Sequence, residues 1–200
     1  MTPRRLLGRT IPLVLAVAAV GCGFQPTPIA LDKSVDPWSI DEIVVLPVID
    51  ARTSQFDQVQ VARNVGDAMV RLLRERGYFT LAADAFGQRP SGPLDLHVAG
   101  PDQLVPLAPA DANTFILVQV EKLEPGMDGS IPTYDARLSA VMVDKAHNRV
   151  LWRDVEKGTS TLNGMLTVFS RGSRQYEAAV NACRALVDTL PGKHPHNPKR

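Results

Sequence analysis

Residues 42–81 read EIVVLPVIDARTSQFDQVQVARNVGDAMVRLLRERGYFTL. The run at 43–49 is apolar at consecutive positions and rich in β-branched residues, the pattern of a strand buried on both faces. Residues 50–54 then turn polar. From Asp57 onward, Val61, Val65, Met69, Leu72 and Leu73 recur at spacings of three and four, with Arg63, Asp67, Arg71, Arg74 and Glu75 on the opposite side. That is an amphipathic helix with Asp57 as its candidate start. Gly77 is its expected stop, and 78–81 is a second short strand. Strand, helix and strand joined by short links make a βαβ unit, for which a right-handed crossover is expected.

The pattern weakens outward from this unit. Gly87, Pro90, Gly92, Pro93, Gly100, Pro101, Pro106 and Pro109 interrupt 84–109, where we expect a helical turn at 101–104 and a weak strand at 94–98. Residues 114–123 (TFILVQVEKL) form a buried strand, and 124–129 a loop. Residues 134–146 alternate, with Ala136, Leu138, Ala140 and Met142 on one face and Arg137, Ser139, Val141 and Val143 on the other. His147-Asn148 suits a two-residue hairpin turn, since Asn tolerates positive φ. The returning strand is 150–155, with room to continue to 161. The second long helix is 174–190, striped by Tyr176, Ala179, Val180, Cys183, Leu186, Val187 and Leu190, and Pro191-Gly192 stops it. The expected fold class is therefore α/β with a mixed sheet: a βαβ unit, an antiparallel meander, and a C-terminal helix packed on the sheet.

At the other end, Arg4, Arg5 and Arg9 lead into an apolar run at 11–20 and then small residues. This is the layout of a secretory signal peptide, and the run is too short for the roughly 20 residues that span a bilayer. Ala19-Val20-Gly21-Cys22 resembles the lipobox of bacterial lipoproteins, with Ala19 where that family usually has Leu. The resemblance implies cleavage before Cys22 and a lipid on its sulfur. Gly23 follows instead of the acidic residue that the family associates with inner-membrane retention in some bacteria, which implies the outer membrane in a diderm cell. The expected organisation is a signal at 1–21, a Pro-containing lipidated tether at 22–41, a domain at 42–191, and a disordered tail at 192–200. Without the signal, 19 basic residues face 21 acidic ones, so no charge excess argues for nucleic acid or polybasic membrane binding. Lipidation of Cys22 leaves Cys183 alone, and its place in the apolar stripe makes it a buried small residue.

Reactive constellations are sparse. No phosphate loop or dinucleotide fingerprint follows the first strand, and no Gly-x-Ser-x-Gly elbow occurs. Ligands in open α/β sheets favour the carboxyl ends of strands, so Asp50, Arg52 and Ser54 are the positions to watch, with turn formation and capping as their other reading. Of the four histidines, His97 and His147 are isolated in sequence. His194 and His196 lie in the tail, where at most a weak transition-metal site is conceivable. We expect no cofactor, no resident metal and no catalysis. Apolar residues in irregular segments are instead candidates for partner contact: Phe86 and Leu104 in 84–109, and Met127 in 124–132. The alternative for them is folding back onto the sheet.

Val45-Leu46-Pro47, Leu72-Leu73, Arg76-Gly77-Tyr78-Phe79, the hairpin from Val141-Met142-Val143-Asp144 to Arg149-Val150-Leu151-Trp152, and the closing Leu190-Pro191 come in a recognisable order. They resemble the α/β domain shared by the N-terminal part of TolB and by CsgG-type assembly lipoproteins. The resemblance covers 42–191 and is fold-level. It implies a mixed sheet with packed helices, an envelope location and a role supporting another assembly, and it brings no catalytic residue. The expected function is a lipid-anchored, periplasm-facing accessory protein whose partners are the membrane and an unidentified envelope complex. An auxiliary lipoprotein of an ABC-type lipid transporter and a hydrolase with a site near Asp50 are the alternatives.

Cys22→Ser should yield a protein that takes up no fatty-acid label in cells and leaves the membrane fraction. Equal labelling of wild type and variant would refute the anchor.

Overall fold

The computed structural model of the protein describes residues 35–52, 57–88, 90–129, 131–160 and 171–192. Cys22 with the signal segment, Ser54, and the expected tail from 193 onward, with His194 and His196, lie outside the described residues. The elements are β1 (Glu42–Val45), β2 (Ile49–Asp50), α1 (Gln58–Glu75), β3 (Phe79–Ala82), α2 (Pro101–Leu104), β4 (Thr114–Asp128), β5 (Ile131–Asp144), β6 (Arg149–Thr159) and α3 (Arg171–Asp188). The described strands form a mixed six-stranded sheet in the order β3-β1-β4-β5-β6, with β2 pairing β4 beyond β1. Strand β1 is parallel to β3 and β4, whereas β4, β5 and β6 run antiparallel. The fold is α/β with a βαβ unit, a meander and a C-terminal helix on the sheet.

Where one strand was expected at 43–49, Pro47 splits it in two. Leu46 N–H still donates to Ile116 O at 2.9 Å. Pro47 has no N–H to continue the ladder, and pairing resumes only at Ile49, opposite Gln119. Helix α1 ends in a left-handed glycine, Gly77 at φ 93°. There Gly77 N–H donates to Arg74 O and Tyr78 N–H to Leu73 O, which satisfies two terminal carbonyls. Asp57 does precede the helix, but its side chain makes no cap.

Both sheet faces are apolar and both are covered. On one face Ile43, Val45, Ile116, Val118, Leu138 and Met142 pack with Val65, Met69 and Leu73 of α1 and with Ala182, Cys183 and Leu186 of α3. Helix α3 approaches β6 closely at Gly158, where a Cβ would strike the helix backbone at Ala178 and Ala182. On the other face Val44, Leu46, Phe115, Leu117, Val141 and Val143 are sealed by Leu96, Ala99, Leu104, Leu107, Ala108 and Ala112. The Pro/Gly-rich segment is thus the lid of a second core.

Several expectations need correction. The strand at 94–98 is a turn, in which the N–H groups of Val98 and Ala99 donate to Asp95 O. The loop at 124–129 is strand: β4 and β5 stay paired as far as Asp128 opposite Ile131. The β5–β6 connection is a four-residue turn at 145–148, not a two-residue one, although Asn148 does take positive φ (47°). Val35 and Ile40 are buried, so the domain starts before residue 42. Tyr176, placed in the buried stripe of α3, is 42% exposed, and Ala178 and Ala182 take the inward positions.

The two ends of the sheet differ. At one end lie the entry at Val35, the starts of β1, β3 and β4, the 145–148 turn, and the C-terminus of α3. Arg76 there donates to Asp188 Oδ1 and to the Asp188 and Leu190 carbonyls, and the Tyr78 hydroxyl to Pro191 O. At the opposite end the β4–β5 hairpin runs on past β6 as a two-stranded ribbon.

Cys183 is fully buried, and burial pushes its thiol from an ordinary value near 9 to about 12. A raised folded value means that this stabilisation is complete below pH 9 and is lost as pH climbs towards 12. Burial likewise pushes Tyr78 up to about 12 from 10, so its share is lost only above pH 10. Urea unfolding should therefore show stability falling from about pH 9 upward, and Cys183→Ala should remove the earlier part of that fall. In the Cys22→Ser chain a thiol reagent should react only after unfolding.

Candidate functional site

Asp50 sits at the carboxyl end of β2, where an open sheet would offer a site. Its carboxylate is occupied. Arg52 Nε lies 2.8 and 3.1 Å from Asp50 Oδ1 and Oδ2, and Arg52 Nη2 lies 2.6 Å from Oδ2. Arg52 Nη2 also reaches Asp57 Oδ1 at 3.1 Å. Gln58 Nε2 donates to the Arg52 carbonyl. The Asp50 and Arg52 side chains are only 6% and 8% exposed. Hydrogen bonding to Asp50 raises the Arg52 guanidinium against the opposing effect of burial. This fork-shaped pair clips the β2–α1 connection together and leaves the carboxylate no free lone pair for general-base work.

A second polar set lies on the lid face, past the apolar part of the second core. A bulge in β4 between Val120 and Lys122 leaves Glu121 without a strand partner. Its carboxylate lies 2.6 Å from His97 Nε2 and 3.1 Å from Arg137 Nε. Neither contact is aligned as a hydrogen bond, and Glu121 and Arg137 form an ion pair. Arg153, 8% exposed, reaches from β6 to the carbonyls of His97 and Ala99 and so ties the lid to the sheet. Burial lowers its pKa, with Asp95 opposing. Ser139 Oγ is buried without a hydrogen-bond partner among the described residues. It is therefore not engaged by His97 or Glu121, and no nucleophile–base pair is formed. The sequence signal for this set was Glu121 interrupting an apolar run. Its link to His97 crosses the sheet–lid interface, which spacing does not report.

His147 is used at the opposite end. Its Nδ1 lies 2.6 Å from Asp144 Oδ2, and Arg149 Nε lies 3.3 Å from the same oxygen. Burial raises the Asp144 pKa, but hydrogen bonds from the His147 ring and backbone outweigh it and the net shift is downward. Among the described residues no three His, Cys, Asp or Glu side chains come together as a metal site.

The three contact candidates separate. Leu104 is completely buried, packed against the sheet from the lid, and is withdrawn as a surface residue. Phe86 is half-buried against the same cluster. Met127 is 66% exposed on the ribbon. The outer edge of the ribbon's β5 strand is closed to strand addition. Ser160 engages both Tyr134 N–H and Tyr134 O, so β5 points these groups away from β4. Pro132, two residues earlier, presents no N–H on that side, and Arg174 covers its carbonyl. What that edge offers is its side chains.

Neither a protein-family model nor a curated protein matches the sequence. Among solved structures, the PelC dodecamer from Paraburkholderia phytofirmans is similar at TM-score 0.49 and 11% identity, covering 83% of this chain and 96% of that one. A lipoprotein from Neisseria meningitidis gives 0.44 and 15%, covering 74% and 99%. A protein from Xanthomonas campestris gives 0.43 and 12%, covering 76% and 81%. All three fall below a TM-score of 0.5, and none of their properties is carried over to this chain.

Asp50→Ala should destabilise the protein by on the order of 3 kcal/mol, because Arg52 would keep a buried charge with only Asp57 beside it. The double variant Asp50→Leu/Arg52→Met should recover most of that loss. Urea unfolding of both, with wild type, checks this. A loss in the double variant as large as in Asp50→Ala would mean that the pair is not the source.

Proposed function

We propose that the protein is a lipid-anchored, periplasm-facing accessory lipoprotein that assembles or stabilises an envelope secretion or transport complex by binding. The observation that carries this reading is Ala19-Val20-Gly21-Cys22 at the end of a basic and apolar leader, followed by one α/β domain. No described helix is long and apolar enough to cross a membrane, which is consistent with attachment through Cys22. The resemblance to TolB-type and CsgG-type domains supports an assembly role, and Gly23 favours the outer membrane. The carboxylates of Asp50, Glu121 and Asp144 are all engaged by basic side chains, which supports binding over catalysis. A lipid-transport role would need an apolar groove, yet the lid fills the sheet face opposite the helices.

Complementation of a deletion strain tests this. Met127→Lys changes an exposed side chain, should keep wild-type stability, and should abolish both rescue and partner co-purification. Asp50→Asn, compared at equal folded amount, should restore the phenotype. Rescue by Met127→Lys together with failure of folded Asp50→Asn would overturn the binding reading in favour of a reaction at Asp50.

A further inference from the structure

Seven large apolar side chains are strongly exposed among the described residues; Phe79 (60%) and Leu81 (41%) belong to β3, at the β1–β3 corner of the sheet, and Trp38 (51%) to the turn that leads into β1. Phe79 opens β3 opposite Glu42, and Leu81, two residues on, projects to the same side. Trp38 stands just before β1 in the 3-10 turn Pro37–Ser39. That turn is rigid. Asp36 Oδ1 accepts from Trp38 N–H at 3.0 Å, Ser39 N–H and Oγ–H donate to Asp36 O, and Val35 and Ile40 are buried on either side. The indole is thus left in water beside a hydrogen-bonded turn whose own apolar neighbours are buried.

The corner is where the chain from Cys22 enters the domain. Only the twelve residues 23–34 separate the two, so the entry point lies within roughly 40 Å of the lipid even at full extension. Resting on the lipid-anchor reading above, we propose that this corner seats on the bilayer, with Trp38 and Phe79 inserted at the headgroup level. Tryptophan suits that layer because its ring is apolar while its N–H still needs a polar partner. Asp41 and Glu42 flank the corner, so ring burial rather than charge drives the contact, and salt should change it little. Seated this way, the sheet stands with the Met127 ribbon at its far end. Strand β4 alone has 15 residues, which at the usual rise is roughly 45–50 Å. The domain then presents its ribbon to the periplasm at a set distance from the membrane.

The full lipidated protein, reconstituted into phosphatidylethanolamine/phosphatidylglycerol vesicles with bromine on the upper acyl chains, tests this through its own fluorescence. The chain has two tryptophans, and Trp152 is 1% exposed, so it serves as an internal constant. Brominated vesicles should remove up to about half of the wild-type emission, at low and high salt alike. Trp38→Phe should abolish the quenching, and Phe79→Ser/Leu81→Ser should reduce it. Protein that floats with vesicles but shows no Trp38 quenching would overturn this inference and leave the anchor standing. Failure to float would overturn the anchor and this contact with it. Crosslinking between copies through Phe79→Cys, without quenching, would assign the corner to a second copy and overturn the bilayer contact.

Discussion

Strands β4 and β5 are apolar on both faces, and neither face can be left to water. Ile116 and Val118 point one way while Phe115 and Leu117 point the other; Met142 and Ala140 oppose Val141 and Val143 in the same manner. Burying a side chain of this size contributes about 1.5–3 kcal/mol, so a single-sided cover would forfeit many such contributions. Two long helices meet the demand on one face. The other is met by a segment too rich in proline and glycine to form a long helix or strand, which lays Leu96, Leu104 and Leu107 against the sheet from short turns.

An irregular cover creates a second problem, since its backbone polar groups have no ladder to join. Arginine and lysine side chains solve it. Arg153 takes two lid carbonyls and Lys145 those of Pro109 and Ala110. Elsewhere Arg74 covers Thr80 O on the edge strand β3, and Arg76 gathers the carbonyls that end α3. Much of the chain's positive charge is thereby committed to closing backbone and neutralising carboxylates.

The antiparallel meander makes the molecule directional. Because β4 and β5 outrun β6, their hairpin leaves the body of the sheet at the end remote from the chain entry. Pro132 and Arg174 protect the β5 edge of the ribbon beyond the end of β6. A binding role carried by side chains at the tip is compatible with that protected edge, whereas strand addition along it is not.

The α/β class, the βαβ unit with its glycine stop, the two-faced alternation of β5 and the inward Cys183 follow from local periodicity, so the sequence by itself determined them. The resemblance of residues 19–22 to a lipobox is likewise legible locally, being a contiguous motif. The split at Pro47 was also written locally, in a residue without an N–H. Tertiary structure alone decided the burial of Leu104, because apolar side chains in a Pro/Gly-rich segment look the same whether they face a partner or their own sheet. It likewise decided the length of the ribbon, where Pro125 and Gly126 suggest a loop but cross-strand pairing overrides their weak preferences. The His97–Glu121–Arg137 set and the Asp50–Arg52–Asp57 clip depend on where a bulge and a strand break turn individual side chains. Those directions arise from contacts between segments distant in sequence, which no local pattern encodes.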